Sequence, residues 1–283
     1  MGQGRQLTVR PLSGGIGAEV RGIDLAGDLS EAAWSQLHDA FLDYLVLAIV
    51  DQSLSPAAQL ALGERFGSPF VHPFRPSLPG FPQIIPLVKE AEERRNVGGV
   101  WHTDLTCLPT PPLGTLLYAK EVPTSGGDTM FSNGYLAYEG LSAPLRETLE
   151  GLRAVHSAVR AHGPRATTGQ GAFREKASQK AEATQETIQP VVRTHPETGR
   201  KALFVNRVFT LRFDGWTAGE SAPLLRYLYD HMTQPEYVCR IRWREGTLVL
   251  WDNRCTQHYA LNDYHGQRRV MHRLMIEGDR PYL

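Results

Sequence analysis

The sequence predicts a mainly β fold with helices flanking a sandwich or barrel core. Three observations point that way: short apolar stretches recur along the chain, Gly, Pro, Asn and Asp clusters separate them, and helical spacing is confined to a few segments. At 283 residues, with 41% hydrophobic and 21% charged side chains, the chain has ordinary globular composition and is read as one domain over 1–283.

Residues 7–25 mix Leu, Val and Ile with several glycines, the pattern of short strands and tight turns. Ser30 and Glu31 open a helix to about Tyr44, with Trp34, Leu37 and Phe41 at helical spacing. Leu45–Val50 reads as a buried strand. Ser55-Pro56 caps a second helix carrying Leu60, Leu62 and Phe66, which Gly67 ends. Five prolines make 68–82 a loop, because proline lacks the donor a central strand needs. Ile84–Val88 is a strand, and the charged run Lys89–Asn96 is expected to face solvent.

Leu113–Ala119 is a further strand, and Ser125-Gly-Gly-Asp128 a turn. Ser132 or Asn133 precedes one helical segment and Ser142-Ala-Pro144 starts another. Residues 160–187, rich in Gln, Thr, Ala, Lys and Glu, are expected to be a mobile insertion: an inert loop or a lid over the site. His195-Pro-Glu-Thr-Gly199 reads as a hairpin turn, Ser221–Met232 as a helix, and 238–243, 247–251 and 268–276 as strands.

Thirty basic residues balance thirty acidic ones, so no general attraction to nucleic acid or acidic lipid is expected. No signal-peptide core follows the N-terminus and no apolar stretch is long enough to span a bilayer. Cys107, Cys239 and Cys255, odd in number and widely spaced, form neither a disulfide framework nor a CxxC site. The chain is read as cytoplasmic with reduced thiols.

Trp101-His-Thr-Asp104 carries the chemistry. In an extended segment residues i and i+2 share a face, so His102 and Asp104 can reach one metal ion, and His258 can add a third ligand from another strand. Three ligands on one face of an octahedron leave three positions open, unlike a closed four-ligand zinc site. Residue types alone do not separate iron from zinc. His195-Pro-Glu197 is a competing His-x-Glu pair, disfavoured by its place in a turn. Arg269 and Arg273, four apart on a strand, face the same way, and an inward guanidinium calls for an anion. Two such arginines suggest two anions, or internal salt bridges. Thr129, after Gly126-Gly-Asp128, has a hydroxyl that can donate to a carboxylate.

Together these segments resemble the taurine and 2,4-dichlorophenoxyacetate dioxygenase family. The resemblance rests on Trp101-His-Thr-Asp104, Gly126-Gly-Asp-Thr129, His195-Pro-Glu-Thr-Gly199, Trp251-Asp-Asn-Arg254 through His258, Gln267-Arg-Arg269 and Met271-His-Arg273. It runs from about 7 to 281, poorest over 160–187. It implies a double-stranded β-helix, or jelly roll, with iron(II) on His102, Asp104 and His258. Arg269 and Thr129 would hold the far carboxylate of 2-oxoglutarate, Arg273 the acidic group of the substrate, and His72 the pocket wall. The implied reaction uses dioxygen, yields succinate and carbon dioxide, and hydroxylates an aliphatic carbon of a small anion. A heteroatom on that carbon would then depart. A homodimer or higher homo-oligomer is implied too.

The chain departs from the taurine enzymes at Arg75, where they carry tyrosine, and near Gly98, where they carry asparagine. The expected substrate is therefore another sulfonate, a sulfate ester or a carboxylate, met by Arg273 and Arg75. Two alternatives use the same ligands: a zinc hydrolase that activates water, and a non-catalytic jelly-roll binding protein.

Overall fold

In the computed structural model the chain is described over residues 7–72, 75–162 and 185–283. The expected insertion at 160–187 falls almost wholly outside the described residues. Among those residues no helix is long and apolar enough to cross a membrane.

The first strands are β1 (Thr8–Pro11), β2 (Ala18–Arg21) and β3 (Val46–Ile49). Helices α1 (Glu31–Tyr44) and α2 (Pro56–Phe66) follow β2 and β3, and each is capped as the sequence indicates. The Ser30 side chain accepts from the Ala33 amide and Ser55 from the Ala58 amide, satisfying donors that a first turn leaves free. A two-residue strand, β4 (Pro69–Phe70), interrupts the expected loop and pairs at an edge, where proline is tolerated. Next come β5 (Ile84–Lys89), β6 (Gly114–Glu121), β7 (Thr129–Asn133), α3 (Gly134–Glu139), α4 (Ala143–Glu150), β8 (Arg153–Ser157) and α5 (Val159–His162).

The second half holds β9 (Glu186–Pro190), the hairpin strands β10 (Val192–Thr194) and β11 (Lys201–Leu203), β12 (Thr210–Phe213) and α6 (Ala218–Met232). A 3-10 turn at Pro235–Tyr237 leads to β13 (Val238–Ile241), β14 (Leu248–Asp252), β15 (Thr256–Ala260) and β16 (Arg269–Ile276). The capping box of Thr217 and Glu220 starts α6 three residues before the expected Ser221.

An eight-stranded sheet runs β1-β2-β3-β14-β6-β16-β4, with β5 also on β16. Only β2 and β3 pair in parallel in it. A three-stranded sheet, β13-β7-β15, faces it, and β12-β8-β9 and the β10-β11 hairpin complete the set. Period-two alternation sorts the large sheet's side chains into two cores. Leu47, Ile49, Leu116, Tyr118, Leu248, Leu250 and Leu274 pack under α1 and α2 with Leu37, Phe41 and Leu62. Val46, Ala48, Leu117, Ala119, Val249, Trp251 and Met271 face the other way, against Phe131, Cys239 and Ile241 of the small sheet. Both faces are covered, which is why these strands read as nearly continuous apolar runs.

The expected double-stranded β-helix is corrected here. The fold is mainly β with flanking helices, but among the described residues no sheet closes into a barrel as a jelly roll requires. The large sheet ends at β1 on one side and at β4 and β5 on the other. Alternation dictates which face of a strand is buried, and two facing sheets satisfy it without a closed ladder. All three cysteines are buried and free.

Candidate metal centre

One isolated backbone bridge joins the segment at His102 to β15 at His258. The His102 amide donates to the His258 carbonyl at 3.1 Å, and the His258 amide donates back to His102 at 2.8 Å. This reciprocal pair sets the imidazoles side by side, with ring centroids 4.2 Å apart. Asp104, on the same face as His102, completes the group. Its Oδ1 lies 3.7 Å from His102 Nε2 and 3.8 Å from His258 Nε2. Ligand atoms of all three residues fall within 4.8 Å of one another, and all three side chains are buried in this centre.

The surroundings prepare these side chains as ligands. His102 Nδ1–H donates to the Val100 carbonyl at 2.7 Å, which leaves Nε2 unprotonated and facing the centre. His258 Nδ1 is buried with no partner among the described residues. Burial pushes the His102 pKa down, and the nearby Arg273 adds to this against Asp104. Burial and the neighbouring His102 push His258 well down. Burial alone would raise the Asp104 pKa, but Arg273, His258 and His102 outweigh it and hold the carboxyl well below the usual range. Two neutral imidazoles and a carboxylate are the protonation states a divalent metal requires.

Asp104 is oriented by a chain of side chains that the sequence reading missed. Thr115 Oγ1 donates to Asp104 Oδ2 at 3.0 Å. Asn253 Nδ2 donates to Thr115 Oγ1 at 3.0 Å, and Trp251 Nε1 donates to Asn253 Oδ1 at 3.0 Å. Trp251 also packs its ring 4.8 Å from that of His258. One oxygen of Asp104 is thereby fixed while the other meets the histidines. Thr115 could have been found, since it is a polar residue in phase with Leu117 and Ala119 on a strand face bound for the core.

Arg273 Nη2 lies 2.7 Å from Asp104 Oδ1, and Arg273 Nε is buried without a partner among the described residues. A cavity of about 220 Å³ opens beside the centre, lined by His72, Arg75, His102, Asp104 and Arg273 among others. His72 is buried there, next to Phe70. Burial and the charge of Arg273 lower the Arg75 pKa to about 10, opposed by Asp104. Gly98 also lines this cavity, at a left-handed φ of 86°.

Arg269 lies apart, in a second cavity of about 210 Å³ that shares Arg75, Asn96 and Val97 with the first. Its Nε and Nη2 are buried and unpartnered among the described residues. Trp243 joins Arg269 to Thr129: the guanidinium sits 5.5 Å from the indole centroid, and indole Nε1 donates to Thr129 Oγ1 at 3.0 Å.

His195 belongs to a different cluster. Its Nε2–H donates to Asp252 at 3.0 Å, and its Nδ1 accepts from the Glu197 and Thr198 amides. Asp252 is also gripped by Arg254. Neither ring nitrogen is left for a metal. The cluster instead braces the turn between β14 and β15, immediately before the strand that carries His258.

A family model described as the taurine catabolism dioxygenase TauD, TfdA family matches residues 8–275. An alkylsulfatase of Acinetobacter baylyi is 38% identical over 277 residues, covering 97% of this chain and 86% of that protein. An alpha-ketoglutarate-dependent sulfate ester dioxygenase of Pseudomonas putida is 35% identical, covering 98% and 91%. A crystal structure of a taurine dioxygenase from Burkholderia xenovorans superposes with a TM-score of 0.81 at 33% identity, over 97% of this chain and 92% of that one.

Proposed function

This chain belongs to the taurine catabolism dioxygenase TauD, TfdA family and is an Fe(II)/2-oxoglutarate-dependent dioxygenase of small anionic substrates, from which we propose that it oxidises an alkyl sulfate ester at the carbon bearing the ester oxygen. The observation that carries this reading is the convergence of Arg75 and Arg273 in the cavity beside the His102–Asp104–His258 centre. Asp104 acts on both guanidiniums and belongs to the centre. Two guanidiniums lining one cavity favour a substrate that carries an anionic group. A sulfate group, with three terminal oxygens, offers acceptors to both arginines.

His102, Asp104 and His258 would hold Fe(II), and the orphaned donors of Arg269, with the Thr129 hydroxyl, would hold the far carboxylate of 2-oxoglutarate. When bound, the ferrous centre supplies the activation of dioxygen that couples decarboxylation of the 2-oxo acid to oxidation of the substrate. The protein's own part is positional. Thr115 fixes Asp104, Val100 fixes the tautomer of His102, and the arginines hold the anionic end of the substrate. His72 walls the same cavity. Insertion of one oxygen atom into the C–H bond next to the ester oxygen gives an unstable adduct that collapses to aldehyde and hydrogen sulfate. The second oxygen atom leaves in succinate, and carbon dioxide completes the balance. A hydrolase that activates water has no use for the unpaired donors of Arg269.

The test is a panel of alkyl sulfates, alkyl sulfonates, carboxylates and amines, read by succinate and sulfate release with and without oxygen. Oxygen-dependent release of succinate and sulfate in equal amounts is expected with an alkyl sulfate, and none with Asp104→Ala. Preferential turnover of amines, or sulfate release without oxygen, refutes the reading.

A further inference from the structure

Lys89 is a buried cation that nothing above employs. The sequence places it at the head of a charged run, yet the side chain is only 4% exposed. Strand phase explains this. Lys89 lies on β5 in step with Ile85 and Leu87, and those positions turn inward. It is the direct cross-strand partner of Arg269 on β16. Paired positions of an antiparallel ladder present their side chains on the same face, side by side.

Both residues line the cavity of about 210 Å³, together with Tyr264. The Lys89 ammonium sits 4.4 Å from the centroid of the Tyr264 ring. Arg269 contacts the hydroxyl of the same tyrosine. Tyr264 therefore arranges the two cations next to each other without neutralising either. Among the described residues, Lys89 Nζ has no hydrogen-bond partner, and neither do Nε and Nη2 of Arg269. Asp128, the carboxylate that acts on Arg269 through space, is already engaged by Arg240 at 2.6 Å. Two adjacent buried cations with idle donors, in a cavity lined by no carboxylate among the described residues, form a site for an anion.

We propose that Lys89 is a second cationic anchor for the far carboxylate of the 2-oxo acid, acting jointly with Arg269. The proposal rests on the cosubstrate site described under Proposed function. Arg269 meets the carboxylate with a planar fork, while Lys89 adds a point charge from the neighbouring strand. Its role is to make the chain select a dicarboxylic 2-oxo acid over one that ends in a methyl group.

Binding of 2-oxoglutarate and of 2-oxobutyrate, which lacks the far carboxylate, is measured by calorimetry on the Mn(II)-loaded protein, where no turnover occurs. Wild type, Lys89→Met and Arg269→Leu are compared. Lys89→Met is expected to weaken 2-oxoglutarate binding at least tenfold while leaving 2-oxobutyrate and Mn(II) binding within twofold. Removing an unpaired buried charge should raise the urea midpoint of the ligand-free protein, a gain that a purely structural lysine would not give. Lys89→Gln carries the same binding test if Lys89→Met does not fold. If Lys89→Met keeps wild-type affinity for 2-oxoglutarate while Arg269→Leu loses it, the proposal is overturned and the cosubstrate site stands. If Arg269→Leu also keeps wild-type affinity, the cosubstrate site itself is misplaced.

Discussion

Thr115→Val tests whether the hydrogen-bonded chain behind Asp104 prepares the metal centre. Valine keeps the shape of threonine but deletes the hydroxyl that donates to Asp104 Oδ2 and accepts from Asn253 Nδ2, each at 3.0 Å. A hydrogen bond to a charged group contributes about 1.5–3 kcal/mol, and the stranded Asn253 amide costs roughly 1–3 kcal/mol more. All the groups concerned are buried, so water cannot substitute. A loss of roughly 2.5–6 kcal/mol in unfolding free energy is therefore expected, measured by urea denaturation of metal-free protein. Asp104 would keep Arg273 but lose the contact that fixes its rotation. Partners behind a ligand are typically worth about 10–100-fold in metal affinity, which sets the expected weakening in a Co(II) or Mn(II) titration. Thr115→Ser retains the hydroxyl and should recover most of both losses. Metal affinity within twofold of wild type in Thr115→Val, with stability changed by less than about 0.5 kcal/mol, would show that the chain is incidental.

Three further outcomes are expected. Burial lowers the pKa of His156 from 6.5 to about 3, so between those values the unfolded chain takes up a proton that the folded one refuses. Stability from this residue is complete above pH 6.5 and falls with acidification at up to about 1.4 kcal/mol per pH unit. Comparing urea midpoints at pH 7 and 5 should show a shallower decline in His156→Asn than in wild type, and an equal decline would refute this. Gly246 has φ 76°, and a Cβ there would lie 2.6 Å from the Gln52 carbonyl, so Gly246→Ala should cost roughly 1–3 kcal/mol in the same assay. Ser55→Ala removes the cap of α2 and should cost about 1 kcal/mol, seen as a lower thermal midpoint, with no change in metal binding.

The sequence makes some of this legible and hides the rest for physical reasons. Helix α1 is readable because its cap at Ser30 and its apolar spacing are local, and the structure starts and ends it where that pattern does. His102 and Asp104 are readable as a pair because a strand's period of two is local as well. His258 is different: the sequence offers it as a third ligand from another strand, but nothing local places it at the centre, and the bridge that seats it there is a long-range backbone contact. Thr115 and Asn253 act through each other, so neither carries a signal alone. Lys89 shows two periodicities in conflict: composition joins it to the charged run after it, while strand phase joins it to Ile85 before it, and phase prevails. Barrel closure was not legible, because alternation reports burial of a face and says nothing about which edges meet.

The paired amides and carbonyls that zip His102 to His258 have a consequence for the order of events in biosynthesis. A nascent chain emerging from the ribosome carries the first half of the chelate long before the remaining donor is made. Prematurely ended products can therefore display His102 and Asp104 but never the full set. The complete three-donor set forms only once β15 has docked against the segment at His102.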